Sequence, residues 1–180
     1  IVNLHKVIAW TGMGPSEPCS LKWEDVDFKH SVIMKRNTKS GKDKSLRMSK
    51  EVTTILMDQK ILLESEASDM RNSTFVFPRR DGGKRNPDGW RKNVKEICNR
   101  AGIPKSYRPN YCLRDTIAST MLSDGSPLDE VGYMLGHEPG SPMMKRYAKF
   151  VDGAQQRIVD RADELMKSKF VFKTQSEKSG

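Results

Sequence analysis

Between Tyr111 and Tyr147 the chain is divided by glycine and proline into pieces that can fold only as short helices. Asp124-Gly125 stops a helix predicted from about Leu113 to Leu122. Ser126-Pro127-Leu128-Asp129 then supplies a capped start, with the serine as cap and the proline in the first turn. Gly136 ends that second helix, and Ser141-Pro142 repeats the starting device ahead of Tyr147. Short helices of this kind are expected to bring Arg114, His137 and Tyr147 together from separate pieces.

A guanidinium, an imidazole and a phenol form a set with definite chemistry. The guanidinium can grip two phosphate oxygens at once, the imidazole can donate a hydrogen bond, and the phenolate can attack. Such a set suits cleavage of a phosphodiester without a metal. Taken singly, each residue also has a plainer role. Tyr147 could be a half-buried helix tyrosine, Arg114 a surface arginine paired with Asp115, and His137 a helix-end histidine favoured by the dipole.

The remaining sequence reads as mainly α with one small sheet. Val7, Ile8 and Trp10 give residues 1–10 a helical period, and Pro15 suits the start of a helix from Ser16 to Leu21. Val32-Ile33-Met34 and Ser45-Leu46-Arg47-Met48 flank a polar turn and predict a hairpin. Val52, Ile55, Leu56, Gln59 and Leu62 form the stripe of a helix. Phe75-Val76-Phe77 is expected as a short strand ended by Pro78. Residues 79–89 read as a basic loop, and Trp90, Val94, Ile97, Cys98 and Ala101 as a helix closed by Gly102. Ala154, Ile158, Ala162, Leu165 and Met166 mark a last amphipathic helix.

The 180 residues suffice for one domain, and 32 Lys and Arg against 23 Asp and Glu give a net charge of +9, as expected of a nucleic-acid binder. Cys19, Cys98 and Cys112 have no metal-ligand spacing and are expected to be free thiols in a reducing cytoplasm. No window approaches a membrane span. The opening Ile1-Val2-Asn3-Leu4, already in helical period, suggests a fragment of a longer protein.

Leu113-Arg114, Leu135-Gly136-His137 and Tyr147 follow in the order and spacing of the second catalytic box of the tyrosine recombinases, the phage-integrase family, which this chain resembles. Upstream, Thr11-Gly12-Met13, Glu17 and Leu21-Lys22-Trp23-Glu24-Asp25-Val26-Asp27 resemble the family's first box. Asn37-Thr38-Lys39-Ser40-Gly41-Lys42 resembles its β-hairpin. The resemblance implies an α+β, mainly α catalytic domain over residues 1–169, with a helical core and a small antiparallel β-sheet near the N-terminal third. Residues 170–180 would be a tail, disordered or exchanged with a partner subunit, its Phe170-Val171-Phe172 having the apolar character of a contact. A preceding core-binding domain would clamp the other face of the DNA.

On the same resemblance Tyr147 is the nucleophile, Arg114 the phosphate clamp, His137 a phosphate donor and Lys39 the general acid. The substrate is double-stranded DNA, with no cofactor or metal. Four subunits assemble on DNA, though the isolated domain could be a monomer. The setting is a bacterial or phage-derived protein at the nucleoid. Lys35, Arg36, Lys42, Lys44, Arg79, Arg80, Lys84, Arg85, Lys105 and Arg108 are expected DNA contacts beside the site.

Three positions depart from the family's pattern, one of them Asp115, which follows Arg114 where the second box has histidine. Gly14 stands where the first box has an arginine, and Tyr111 where the second has histidine or lysine. Losing one preorganised donor costs on the order of 10²–10³-fold in rate. Three outcomes are open: a slow recombinase, a cation from elsewhere such as Arg108 filling the gap, or a DNA-binding protein that no longer cuts. A relaxing enzyme of the type IB topoisomerase kind fits the Leu-Gly-His spacing less well.

Overall fold

The computed structural model describes residues 2–35, 43–104, 109–138, 140–147 and 154–169. Arg36, Lys39, Lys42, Lys105, Arg108 and the tail 170–180 lie outside the described residues.

Helix α1 (Val2–Thr11) buries Leu4, Val7, Ile8 and Thr11, a three-and-four spacing that lays one stripe on the core. Trp10, expected in that stripe, lies off it and is 55% exposed. A single turn, α2 (Glu17–Ser20), follows, with Ser16 and Pro18 at its start. A 3-10 turn (Trp23–Asp25) leads into β1 (Val26–Asp27), a short strand that the sequence pattern does not mark.

Strands β1, β2 (Val32–Lys35) and β3 (Lys44–Arg47) form one antiparallel sheet in that order. Val26 pairs with Ile33 and Ile33 with Leu46, so the three apolar side chains make one row across the sheet, and all are buried. A one-residue slip would turn that row to solvent, which is how the apolar pattern fixes the register. Lys35 closes β2 opposite Lys44, at the mouth of the hairpin.

Helix α3 (Lys50–Glu64) starts at Ser49, whose hydroxyl accepts the Val52 amide at 3.2 Å. Its buried face is Val52, Ile55, Leu56, Gln59 and Leu63. Leu63, not the expected Leu62, completes the 3.6-residue period, and Leu62 is 46% exposed. The buried amide of Gln59 accepts from Asn3 and donates to the Val76 carbonyl, tying α3 to two neighbours. After the short α4 (Ser68–Arg71), residues 75–77 form no strand beyond a single bridge from Phe75 to Lys22. The facing segment bends at once into the 3-10 turn, so only the Trp23 and Val76 amides pair across and no ladder can grow. The apolar run there reflects burial, with Val76 at 0% and Phe77 at 3% exposure.

Helix α5 (Pro87–Arg100) begins three residues before the expected Trp90, on an Asn86 cap with Pro87 in its first turn. It buries Trp90 and Val94 and leaves Ile97 57% exposed. Helix α6 (Pro109–Ser123) also starts on a proline, earlier than Leu113. Helix α7 (Leu128–Met134) has Pro127 at its N-cap and no side-chain cap. Ser126, expected there, instead closes α6 through its amide on the Met121 carbonyl. A 3-10 turn (Pro142–Arg146) capped by Ser141 precedes Tyr147. On α8 (Ala154–Lys169) residues 159–167 are all exposed.

Two apolar clusters result. The larger gathers α1, the sheet, α3, residues 76–77 and α5. The smaller comprises Ala118, Leu122, Val131, Leu135, Met144 and Tyr147. Met134 packs against both, and the candidate site lies at this seam. Cys19 is buried, Cys98 and Cys112 are half-buried, and none of the three is in a disulfide. No helix among the described residues is long and apolar enough to cross a membrane.

Candidate active site

Arg114 sits in mid-α6 at 8% exposure. Its guanidinium donates to the Gly12 carbonyl at 2.5 Å and to the Leu135 carbonyl at 2.8 Å. These carbonyls are at the C-terminal ends of α1 and α7, where helix dipoles place partial negative charge. A buried cation needs such compensation, and here it comes from backbone rather than from a carboxylate. Arg114 thereby joins the two halves of the molecule. The plainer reading, a surface arginine paired with Asp115, does not hold.

The third contact of Arg114 runs from Nη2 to His137 Nε2 at 3.0 Å. Arginine can only donate, so Nε2 must accept, which leaves the imidazole proton on Nδ1. The backbone explains why His137 stands here. Gly136 has φ +79°, its amide bonds the Tyr133 carbonyl at 2.9 Å, and the His137 amide bonds the Gly132 carbonyl at 2.9 Å. This pair of bonds is the Schellman ending of α7, and it requires the left-handed conformation that glycine adopts without penalty. Leu-Gly-His is thus a helix stop that turns its histidine back towards α6. Gly12, at φ +65°, is constrained twice over, because a Cβ there would lie 2.5 Å from Leu135 Cδ2.

Tyr147 is 4% exposed and belongs to the smaller apolar cluster. Its hydroxyl donates to Asp115 Oδ1 at 2.8 Å, and Arg146 Nη2 donates to Asp115 Oδ2 at 3.0 Å. The Arg146 guanidinium also lies 5.8 Å from the Tyr147 ring centroid. Burial first, then the hydrogen bond and charge of Asp115, push the phenol's pKa above its ordinary value; Arg114 and Arg146 oppose this. Adjacent positions on α6 therefore divide the work, Arg114 facing the helix ends and Asp115 facing Tyr147. Sequence reasoning marks Asp115 only as a departure from the pattern and as a partner for Arg114, and misses its contact with Tyr147.

The first box closes the other side. Glu17 Oε2 accepts the Gly14 amide at 2.6 Å and the Lys35 ammonium at 3.3 Å. The Lys35 side chain, expected as an exposed DNA contact, is only 8% exposed. Tyr111 lies half-buried one helical turn before Arg114. Of the other expected DNA contacts, Arg80 and Lys84 are exposed, while Arg79 is paired with Asp81. The half-buried Arg85 donates to the Phe77 and Pro78 carbonyls at 3.3 and 2.6 Å, which makes it a brace for the 77–85 loop. Lys44 opens β3 beside the hairpin turn. Among the described residues no three His, Cys, Asp or Glu side chains are placed to hold a metal ion.

The helical domain with its small three-stranded sheet has the fold of the tyrosine-recombinase catalytic domain, and at its seam a buried arginine and a buried tyrosine lie beside a half-buried histidine. Residues 3–152 match the phage integrase family, and the chain belongs to it. It is 30% identical over 137 residues to the tyrosine recombinase XerD of Listeria monocytogenes serotype 4b (strain F2365), covering 74% of this chain and 45% of that protein. It is 29% identical over 164 residues to transposase B from transposon Tn554 of Staphylococcus aureus (strain Mu50), covering 84% and 25%. The chain therefore spans less than half of each of these relatives. Among solved structures, the Tn1549 transposon integrase in complex with a circular intermediate DNA superposes with a TM-score of 0.69 at 17% identity, over 88% of this chain and 57% of that one. At that identity the likeness speaks for the fold alone.

Proposed function

We propose that this chain is the catalytic part of a site-specific recombinase that breaks and rejoins double-stranded DNA through a 3′-phosphotyrosyl link. The observation that carries the reading is the junction at Arg114, whose guanidinium meets His137 while its neighbour Asp115 holds Tyr147. In the reaction Tyr147 Oη forms a bond to phosphorus and the bond from phosphorus to the 5′ oxygen breaks. The phenolic proton passes to Asp115, which already accepts it in a hydrogen bond, and Lys39 protonates the departing 5′ oxygen. Arg114 and His137 stabilise the charge that grows on the non-bridging oxygens. The phosphotyrosyl bond stores the energy of the broken strand, so reversal needs no nucleotide. Nearby lysines and arginines, Arg80 and Lys84 among them, supply salt-dependent affinity for the backbone. Assembly as a tetramer on two duplexes, and residence at the bacterial chromosome, belong to the same reading.

A second reading, DNA binding without cleavage, is favoured by Gly14 and by the raised pKa of Tyr147. One experiment separates them. The full-length protein is incubated with a nicked duplex spanning the joined ends of the element that encodes it, and DNA-linked protein is sought on a denaturing gel. An adduct abolished by Tyr147→Phe supports cleavage; tight binding with no adduct supports the second reading.

A further inference from the structure

Gly14 leaves the first box without its arginine, yet the carboxylate beside it is not left without a cation. We infer that Lys35, at the end of β2, supplies the cation that Gly14 lacks and contacts the scissile phosphate. This rests on the reading of the site as one that cleaves a phosphodiester.

Three observations converge on the Lys35 ammonium. It lies 3.3 Å from Glu17 Oε2, the same oxygen that accepts the Gly14 amide at 2.6 Å. An arginine at position 14 would grow out beside that carboxylate, since a Cβ there would already lie 3.7 Å from Glu17 Oε2. On its other side, a Cβ built on Gly136 would lie 3.9 Å from Lys35 Nζ. Gly136 is the middle residue of the turn that presents His137 to Arg114. The ammonium therefore lies between the first box and the His137 turn, on the carboxylate beside which an arginine at position 14 would start.

Electrostatics gives the placement a purpose. Without Lys35, Glu17 would present an unopposed carboxylate to an incoming phosphate. With it the pair is neutral, and an ammonium can serve more than one acceptor. A side chain 8% exposed at the mouth of a hairpin is also held in place rather than free in solvent. Lysine is a point charge where arginine is a two-pronged donor, so the substitution keeps the charge and gives up bidentate geometry.

The test uses the adduct assay with Lys35→Gln, Lys35→Arg and the double variant Lys35→Gln with Gly14→Arg. Lys35→Gln is expected to slow adduct formation by on the order of 10²–10³-fold, with Lys35→Arg and the double variant recovering most of it. Replacing the scissile phosphate by an uncharged methylphosphonate should make Lys35→Gln and the unaltered protein cleave at similar rates. A deficit that persists on the methylphosphonate, with no rescue by Gly14→Arg, would mean that Lys35 only braces the first box, and the inference would fall. If the unaltered protein forms no Tyr147-dependent adduct, the proposed cleavage fails and a second measurement decides on Lys35. Orthovanadate, an anion of phosphate's size, is titrated into this chain and followed by the amide resonances of Gly12, Gly14 and His137. Affinity weakened about tenfold or more by Lys35→Gln, the scale of one charge-assisted hydrogen bond, supports the inference. Unchanged affinity overturns it. Thermal melts of each variant establish that folding is intact, and Lys35→Met replaces Lys35→Gln should the latter unfold.

Discussion

Tyr147 donates its phenolic proton to Asp115 at 2.8 Å, and that carboxylate sits directly after Arg114 on α6. Burial first, and then Asp115, favour the protonated form of Tyr147, the nucleophile in the proposed reaction, and the neighbour of that carboxylate is the proposed phosphate clamp. In that reaction the phenol keeps its hydrogen bond to Asp115 while its oxygen attacks phosphorus, and the carboxylate takes the proton.

Removing the Asp115 charge separates two of its effects. Asp115→Asn should lower the pKa of Tyr147 towards its ordinary value, read as the difference in phenolate absorbance between this variant and its Tyr147→Phe derivative. It should also slow adduct formation by on the order of 10²–10⁴-fold if Asp115 takes the proton. A fall in pKa with a faster reaction would show instead that Asp115 restrains the nucleophile.

The same shift sets a pH dependence of stability. The folded protein keeps the Tyr147 proton at a pH where the unfolded chain releases it. The stabilisation is therefore fully present below about pH 10 and is lost as pH rises through the folded value. Denaturant midpoints measured up the alkaline range should fall more steeply for the unaltered protein than for Tyr147→Phe.

Arg114 holds the fold as well as the site. Arg114→Ala leaves the Gly12 and Leu135 carbonyls without their donor in a buried seam, at roughly 1–3 kcal/mol for each group left unsatisfied. Chemical denaturation should show a loss of this size. Stability indistinguishable from the unaltered protein would mean that water replaces the guanidinium.

Gly12 and Gly136 should differ under the same substitution. Gly136→Ala meets only the Lys35 ammonium, at an ordinary contact distance of 3.9 Å, and bears left-handed backbone strain of about 1–2 kcal/mol. Gly12→Ala adds the collision with Leu135 Cδ2 and should lose clearly more. Thermal melts of the pair rank them, and equal losses would contradict the packing at the seam.

DNA affinity should distinguish exposed from bracing cations. Arg80→Gln and Lys84→Gln are each expected to reduce the slope of log affinity against log salt by about 0.9 for every phosphate no longer neutralised. Arg85→Gln should chiefly lower the melting temperature, because its guanidinium is bonded to the Phe77 and Pro78 carbonyls. Titrations at several salt concentrations, paired with melts, test both.

The helices with a long apolar period or a strong stop are legible in the sequence. Helices α3 and α5 lie close to where the apolar spacing puts them, and the hairpin between β2 and β3 follows from alternation around a polar turn. The misses share a cause. Residues 75–77 carry strand composition, but their partner segment turns away after one bridge, a fact of the neighbour and not of the segment itself. Leu62 and Leu63 compete for one face of α3, and only the direction of the core chooses Leu63.

The ordered motifs carried the family resemblance, and the helix stops around the site residues were legible because glycine, proline and apolar spacing act locally. Which residue meets which was settled by tertiary packing. That Arg114 bonds two helix ends, that Asp115 accepts the Tyr147 hydroxyl, and that Lys35 reaches Glu17 beside Gly14 are contacts between distant segments. They follow from how two apolar clusters close against each other, and local sequence carries no record of that closure.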